Sequence, residues 1–377
     1  MEKTNMTSKE IKEIRKLYTK DRCSVSRLCG CYVSGEKEKL ASFTGGLLGM
    51  QDDEMFKYLE ILKKCLSGSI EKNLFNLEIP LAFELENDAY KLLAGIREAD
   101  LGNPALMDAF YDKIIETYDH AGNYLILIAH DTYDVPGRSS LGDTMDDASE
   151  ESYSYLLCAI CPVDLGKPGL SFDQEEGWFM AIDRDWIAGA PEAGFLFPAF
   201  NDRSTDLHAA LYYAKNADAL QEELVGTLFG CEIPSTAEEK KNAFGTVVSE
   251  VYGREFSPKT MKNVHETLAV EAELIQNEPD MDTALSKTHV RSILEKSGAS
   301  DEQMKRFDGA YDEMLGNDTD VEIGNIYSKN KFTVKTDSVD LRVNADRTDL
   351  VRFEKRGDTM YAIVELEGMT EVNGTPV

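Results

Sequence analysis

The 377-residue sequence predicts an α+β protein: an antiparallel or mixed central sheet with helices on one face, a helical region after it and a small C-terminal β unit. Three observations predict this. Apolar residues recur at helical spacing in segments before residue 121, four apolar runs bounded by turn residues crowd 123–200, and short apolar/polar alternation returns after residue 330. The expected segments are 1–76 (helix, hairpin and helix), 77–203 (α+β core), 204–324 (helical) and 325–377 (small β unit).

Thr7 and Glu10 have the spacing of a capping box, so a helix should open there and run to about Tyr18. The next stretch, "CSVSRLCGCYVSGEKEKLASF", admits a helix-turn-helix or a β-hairpin. The β-branched and aromatic residues flanking Gly35 favour the hairpin, with Cys31 to Ser34 in its first arm. Apolar residues at 55, 56, 59, 62 and 66 lie on one helical face, and "LENDAYKLLAGIREAD" and "PALMDAFYDKIIETYDH" follow as amphipathic helices, the second with Pro104 in its first turn. The strands that should cover these helices are "NYLILIAHD", "SYSYLLCAICPV", "GWFMAIDRDW" and "GFLFPAF". An acidic turn closed by Gly177 joins two of these runs as a hairpin, and residues 134–152, rich in Gly, Ser and Asp, are expected to form a mobile loop. Helices are expected near 204–215, 218–229, 236–252, 258–276, 286–297 and 301–315, the last capped by Ser300.

Composition limits the function. With 42% hydrophobic residues and a mean hydropathy of −0.35, the chain suits a well-folded soluble protein. No run approaches the ~20 apolar residues of a membrane helix, and the charged start "MEKTNMTSKEIKEIRKLYTKDR" lacks the apolar core of a signal peptide, so a cytoplasmic location is expected. Seven scattered cysteines suit buried thiols in a reducing compartment. The net charge of −29 is uneven: +3 over residues 1–76 (14 basic against 11 acidic), −18 over 77–200, −13 over 201–324 and −1 over 325–377. The acidic centre would repel a phosphate backbone, so no nucleic-acid partner is expected; Lys9, Lys12, Arg15, Lys16, Lys20, Arg22 and Arg27 read as a solvated helix face.

Three groups of residues invite chemistry. Cys158 and Cys161 form a CxxC, but inside a strand residues three apart point to opposite faces, which suits packing and not redox exchange. Cys23, Cys29 and Cys31 have close thiolate spacing for zinc and lack a fourth ligand, so no metal is expected. His130, Asp131, Asp134, Asp202, Asp206 and His208 end two apolar runs; if those runs are neighbours, their imidazoles and carboxylates could bind a divalent metal or act as general acid and base. The structural reading is preferred: Asp134 before "VPG" suits a turn, and Asp202 with Ser204 or Thr205 suits a helix cap. Phosphate-loop, GxGxxG, HExxH and GxSxG signatures are absent, and no cofactor is expected.

The tokens "GCYV" (30–33), "NYLILIAHDTYDVP" (123–136), "LLCAICPVDLGKPGLSFD" (156–173) and "GFLFPAFNDRSTDLHAALYY" (194–213), in this order, resemble the bacterial domain-of-unknown-function family number 4317, found mainly in anaerobic Gram-positive organisms. The resemblance covers nearly the whole chain and implies no activity, cofactor or functional residue. Cys29 and His208 depart from the family pattern, which argues against schemes that require either side chain. The expected function is a non-catalytic cytoplasmic scaffold or regulator that binds a protein partner. The alternative is a hydrolase or metal-dependent small-molecule enzyme on the His/Asp rim.

Overall fold

A computed structural model describes residues 5–138, 144–181, 184–277, 283–317, 319–372 and 375–376. The chain divides into two units, Met1–Pro234 and Ser235–Val377. The first contains α1 (Ser8–Arg15), β1 (Arg27–Val33), β2 (Lys39–Gly45), α2 (Asp52–Lys64), β3 (Leu74–Glu78), α3 (Leu81–Glu86), α4 (Asp88–Glu98), α5 (Pro104–Thr117), β4 (Asn123–Arg138) and β5 (Thr144–Leu165). It continues through β6 (Leu170–Asp173), β7 (Trp178–Ala181), β8 (Trp186–Ala188), β9 (Ala193–Phe197), β10 (Ala199–Asn201), β11 (Ser204–Asp206), β12 (Ala209–Ala214) and α6 (Glu222–Phe229).

The centre is an antiparallel sheet in the order β2-β1-β4-β5-β9-β12-β3, with β8 following β5 beyond the end of β9. Its registers include Arg27 opposite His130, His130 opposite Leu156 and Leu156 opposite Phe197. Successive side chains of a strand point to opposite faces, and both faces here are apolar. Cys29, Ile126, Ile128, Cys158 and Phe195 pack with Leu93 of α4, Phe110 of α5 and Val225 of α6. Leu28, Leu127, Ala129, Leu157 and Cys161 pack with Ile14 of α1 and Leu59 and Leu62 of α2. The α+β class stands, and the layering is corrected: helices cover both faces, which is why the central strands read as unbroken apolar runs.

The capping box at Thr7 is present, as are the hairpin of β1 with β2 and the Pro104 start of α5. So is the hairpin of β6 with β7, in which Gly177 takes φ +64°, a conformation that favours glycine. Two expectations fail. Residues 134–138 and 144–152 are strand and not loop, because β4 and β5 continue pairing far past the apolar run; residues 139–143 lie outside the described residues. The helix expected near 204–215 is strand as well: β12 pairs with β9 and β3 on its two sides, and ladder bonds on both edges override a helix-compatible sequence. The boundaries expected near 76 and 203 both fall inside the first unit, the one within β3 and the other at the turn between β10 and β11.

The second unit is helical first: α7 (Ala237–Tyr252), α8 (Pro258–Asn277), β13 (Ala284–Leu285), α9 (Lys287–Lys296), α10 (Asp301–Met304), α11 (Phe307–Met314), β14 (Val321–Glu322) and α12 (Ile323–Ile326). Val247, Val264, Leu294 and Phe307 form its core, and Ser300 caps α10 through a capping box with Gln303. The C-terminal β residues make three separate hairpins, β15 (Phe332–Lys335) with β16 (Asp340–Val343), β17 (Val351–Arg356) with β18 (Thr359–Val364), and β19 (Glu371–Val372) with β20 (Thr375–Pro376). The first two lean on α8, where the His265 ring meets Phe332 and Lys262 Nζ donates to the Val351 carbonyl. No described helix is long and apolar enough to cross a membrane.

Candidate functional site

The His/Asp rim expected from the sequence is divided among separate places. His130 and Asp131 are adjacent in β4, which does not end there, so they face opposite sides of the sheet. His130, 4% exposed, places Nε2 2.9 Å from Ser154 Oγ and 3.3 Å from Asp100 Oδ1, and its buried Nδ1 has no partner. Burial lowers its pKa, with Asp100 opposing that shift, so the neutral ring is favoured. A serine relay needs the hydroxyl and the carboxylate on different ring nitrogens. Here both meet Nε2, which holds the ring and leaves no nitrogen to be oriented by the carboxylate while the other takes a proton.

Asp131, 1% exposed, accepts from Ser24 Oγ at 2.7 Å, Thr132 N at 2.9 Å and Tyr155 Oη at 2.9 Å. Burial raises its carboxyl, and these donors pull the other way. Asp134 is exposed. Asp202 is corrected from helix cap to turn: with Arg203 it forms the two-residue link between β10 and β11, and both residues take positive φ (49° and 56°), as a type I′ hairpin turn demands. Arg203 Nη2 reaches Glu13 Oε1 at 3.0 Å and the Pro136 carbonyl at 3.1 Å, which ties this turn to α1 and β4. Asp206 accepts from Asn201 Nδ2 and from the His208 amide, and exposed His208 meets Glu84 at 2.5 Å. No hydrogen bond or ion pair links His130 or Asp131 to Asp202, Asp206 or His208 among the described residues.

The thiols do not converge either. Cys29 and Cys31 share the face of α4 and α5, whereas Cys23 packs against the opposite face. Cys158 and Cys161 also sit on opposite faces, buried and free. Burial pushes the Cys31 thiol up to about 11 and Cys161 to about 12, far from a reactive thiolate. Among the described residues no three His, Cys, Asp or Glu side chains could hold a metal ion together.

The features that remain lie elsewhere in the first unit, and sequence reasoning missed them. A groove of about 770 Å³ runs between α2 and the chain around β8. Met55, Leu59 and Leu62 turn inward to the sheet, so the flank of α2 with half-buried Tyr58 and Ile61 becomes one wall. Leu125, Ile187, Ala188 and Pro191 contribute further apolar surface, and Arg15, Lys57, Lys63 and Lys64 bring four cations against the carboxylates of Glu54 and Glu60. Beside it the β6–β7 hairpin stands outside the central sheet with Leu170 67%, Phe172 52%, Trp178 73% and Phe179 56% exposed. Cross-strand partners share a face, so Leu170, Phe172, Phe179 and Ala181 form one apolar side, and the Phe172 and Phe179 rings meet edge to face at 5.3 Å. The signal was in "WFMA": an apolar run without alternation in a strand whose side chains stay exposed among the described residues.

No curated protein and no solved structure matches the chain. The sequence profile described as "Domain of unknown function (DUF4317)" matches residues 6–375, and the chain belongs to that family.

Proposed function

We propose that the chain is a non-catalytic cytoplasmic scaffold or regulator, and that its protein partner docks on the β6–β7 hairpin and the neighbouring groove. The exposed apolar side of the hairpin carries this reading. A two-stranded hairpin alone is marginal in water, and monomeric proteins keep large apolar patches for contacts. Both tryptophans of the chain, Trp178 and Trp186, are more than half exposed here, and tryptophan is enriched among residues that dominate binding energy. The net charge of −29 supports a partner other than nucleic acid. The alternative, an enzyme on the His/Asp rim, has less support, since His130 and Asp131 face opposite sides of β4 and neither bonds to Asp202, Asp206 or His208 among the described residues.

The test is affinity capture from native lysate with the wild-type chain and with a Trp178→Ser, Phe179→Ser double variant. A protein recovered by the first and lost by the second supports the reading. Identical recoveries from both chains refute it.

A further inference from the structure

We infer that the partner seated on this surface is a second copy of the chain, the hairpin of each copy lying in the groove of the other. The inference rests on the docking reading above and names its occupant.

Charge selects that occupant. In a chain of net charge −29 the groove is a local exception, with Arg15, Lys57, Lys63 and Lys64 against Glu54 and Glu60. Only Lys57 is paired within it, to Glu60 at 3.4 Å; Arg15, Lys63 and Lys64 have no carboxylate within ion-pair distance among the described residues. The hairpin segment has the opposite sign: residues 170–187 carry five acidic side chains and one basic one, and Glu175 and Glu176 stand at the turn just before Trp178. A segment that offers aromatic side chains behind carboxylates matches an apolar trough edged by lysines.

Placement supports the same occupant. The hairpin does not fill its own groove, since its apolar side is exposed and none of residues 170–181 lines the trough. Yet hairpin and groove are neighbours on one surface, because β8, which follows the hairpin in the chain, supplies Ile187 and Ala188 to the groove wall. A two-fold dimer needs one patch that carries both complementary halves, and this patch does. Two hairpins and two grooves would then be covered at once, closing the assembly instead of propagating it.

The experiment uses the full chain in sedimentation velocity over a concentration series up to about 100 μM. Wild type should sediment as a dimer. Two charge-reversed chains, one with Lys63→Glu and Lys64→Glu in the groove and one with Glu175→Lys and Glu176→Lys at the turn, should each dimerise about 100-fold more weakly, because like charges then face each other. Mixed in equal amounts they should regain the dimer, since every contact is again between opposite charges; this recovery also shows that both variants are folded. A wild-type chain that stays monomeric throughout, a dimer that neither pair of reversals weakens, or a mixture that stays monomeric overturns the inference. A monomer that still recovers another protein through Trp178 and Phe179 ends the inference and leaves the docking reading standing. A monomer that recovers nothing ends both.

Discussion

Replacing Asp131 separates the cost of its hydrogen bonds from the cost of its charge. The side chain is 1% exposed and accepts from Ser24 Oγ, Thr132 N and Tyr155 Oη. Asp131→Ala strands the Tyr155 hydroxyl, which is fully buried, and a buried donor without an acceptor costs about 1–3 kcal/mol. Ser24 and Thr132 are exposed and can turn to water, so each adds only about 0.5–1.5 kcal/mol, for a total of about 2–6 kcal/mol. Asp131→Asn keeps the oxygen that serves Ser24 and Thr132, and its amide can donate to Tyr155 Oη once that hydroxyl rotates. Its cost near neutral pH should stay within about 1 kcal/mol, since it also removes a buried charge.

The pH dependence has a definite sign. Burial raises the Asp131 carboxyl, so between its ordinary and its raised pKa the folded chain holds more protons than the unfolded one, and stability falls as pH rises through that window. The stability of wild type relative to Asp131→Asn should therefore increase as pH is lowered from about 8 to about 4. Urea unfolding followed by far-ultraviolet circular dichroism is the assay, because both tryptophans are exposed and report poorly on this core. An Asn variant as unstable as the Ala variant, or a difference between wild type and Asn that does not change with pH, would refute the reasoning.

His130 should behave in the opposite sense: burial depresses its pKa, so the stability it confers is present above about pH 6.5 and lost as pH falls through the depressed value. His130→Gln should flatten that loss in the same unfolding series, and parallel curves would contradict the assignment. Gly194→Ala should cost about 3 kcal/mol, because the new Cβ would lie 2.4 Å from the Cys158 carbonyl oxygen and 2.7 Å from Cys65 Sγ between packed layers; a melting temperature within a degree of wild type would show that β9 can shift. Asp202→Asn should be neutral or stabilise by up to about 0.5 kcal/mol, since asparagine suits the positive φ of a type I′ turn and the Asp202 side chain is exposed. A clear loss of stability in urea would reveal a carboxylate contact there.

The sequence by itself determined the features that act over a few residues. The capping box at Thr7–Glu10, the Ser300 cap, the Pro104 helix start and the Gly177 hairpin were legible because donor, acceptor and backbone angle lie within one turn of each other. The α+β class was legible from periodicity, and the opposed faces of Cys158 and Cys161 from the two-residue repeat of a strand. The same repeat already separated His130 from Asp131; what hid this was the length of β4, which continues to Arg138 because β5 pairs with it through polar residues that look like loop. Tertiary structure alone decided that "AALYYA" is a strand, since β3 and β9 offer ladder partners from residues distant in the chain. It alone decided that helices cover both sheet faces, and that "WFMA" stays exposed among the described residues while the flank of α2 opens into a groove. Each of these depends on which distant surface arrives to cover an apolar side chain, and local patterning records only that the side chain is apolar.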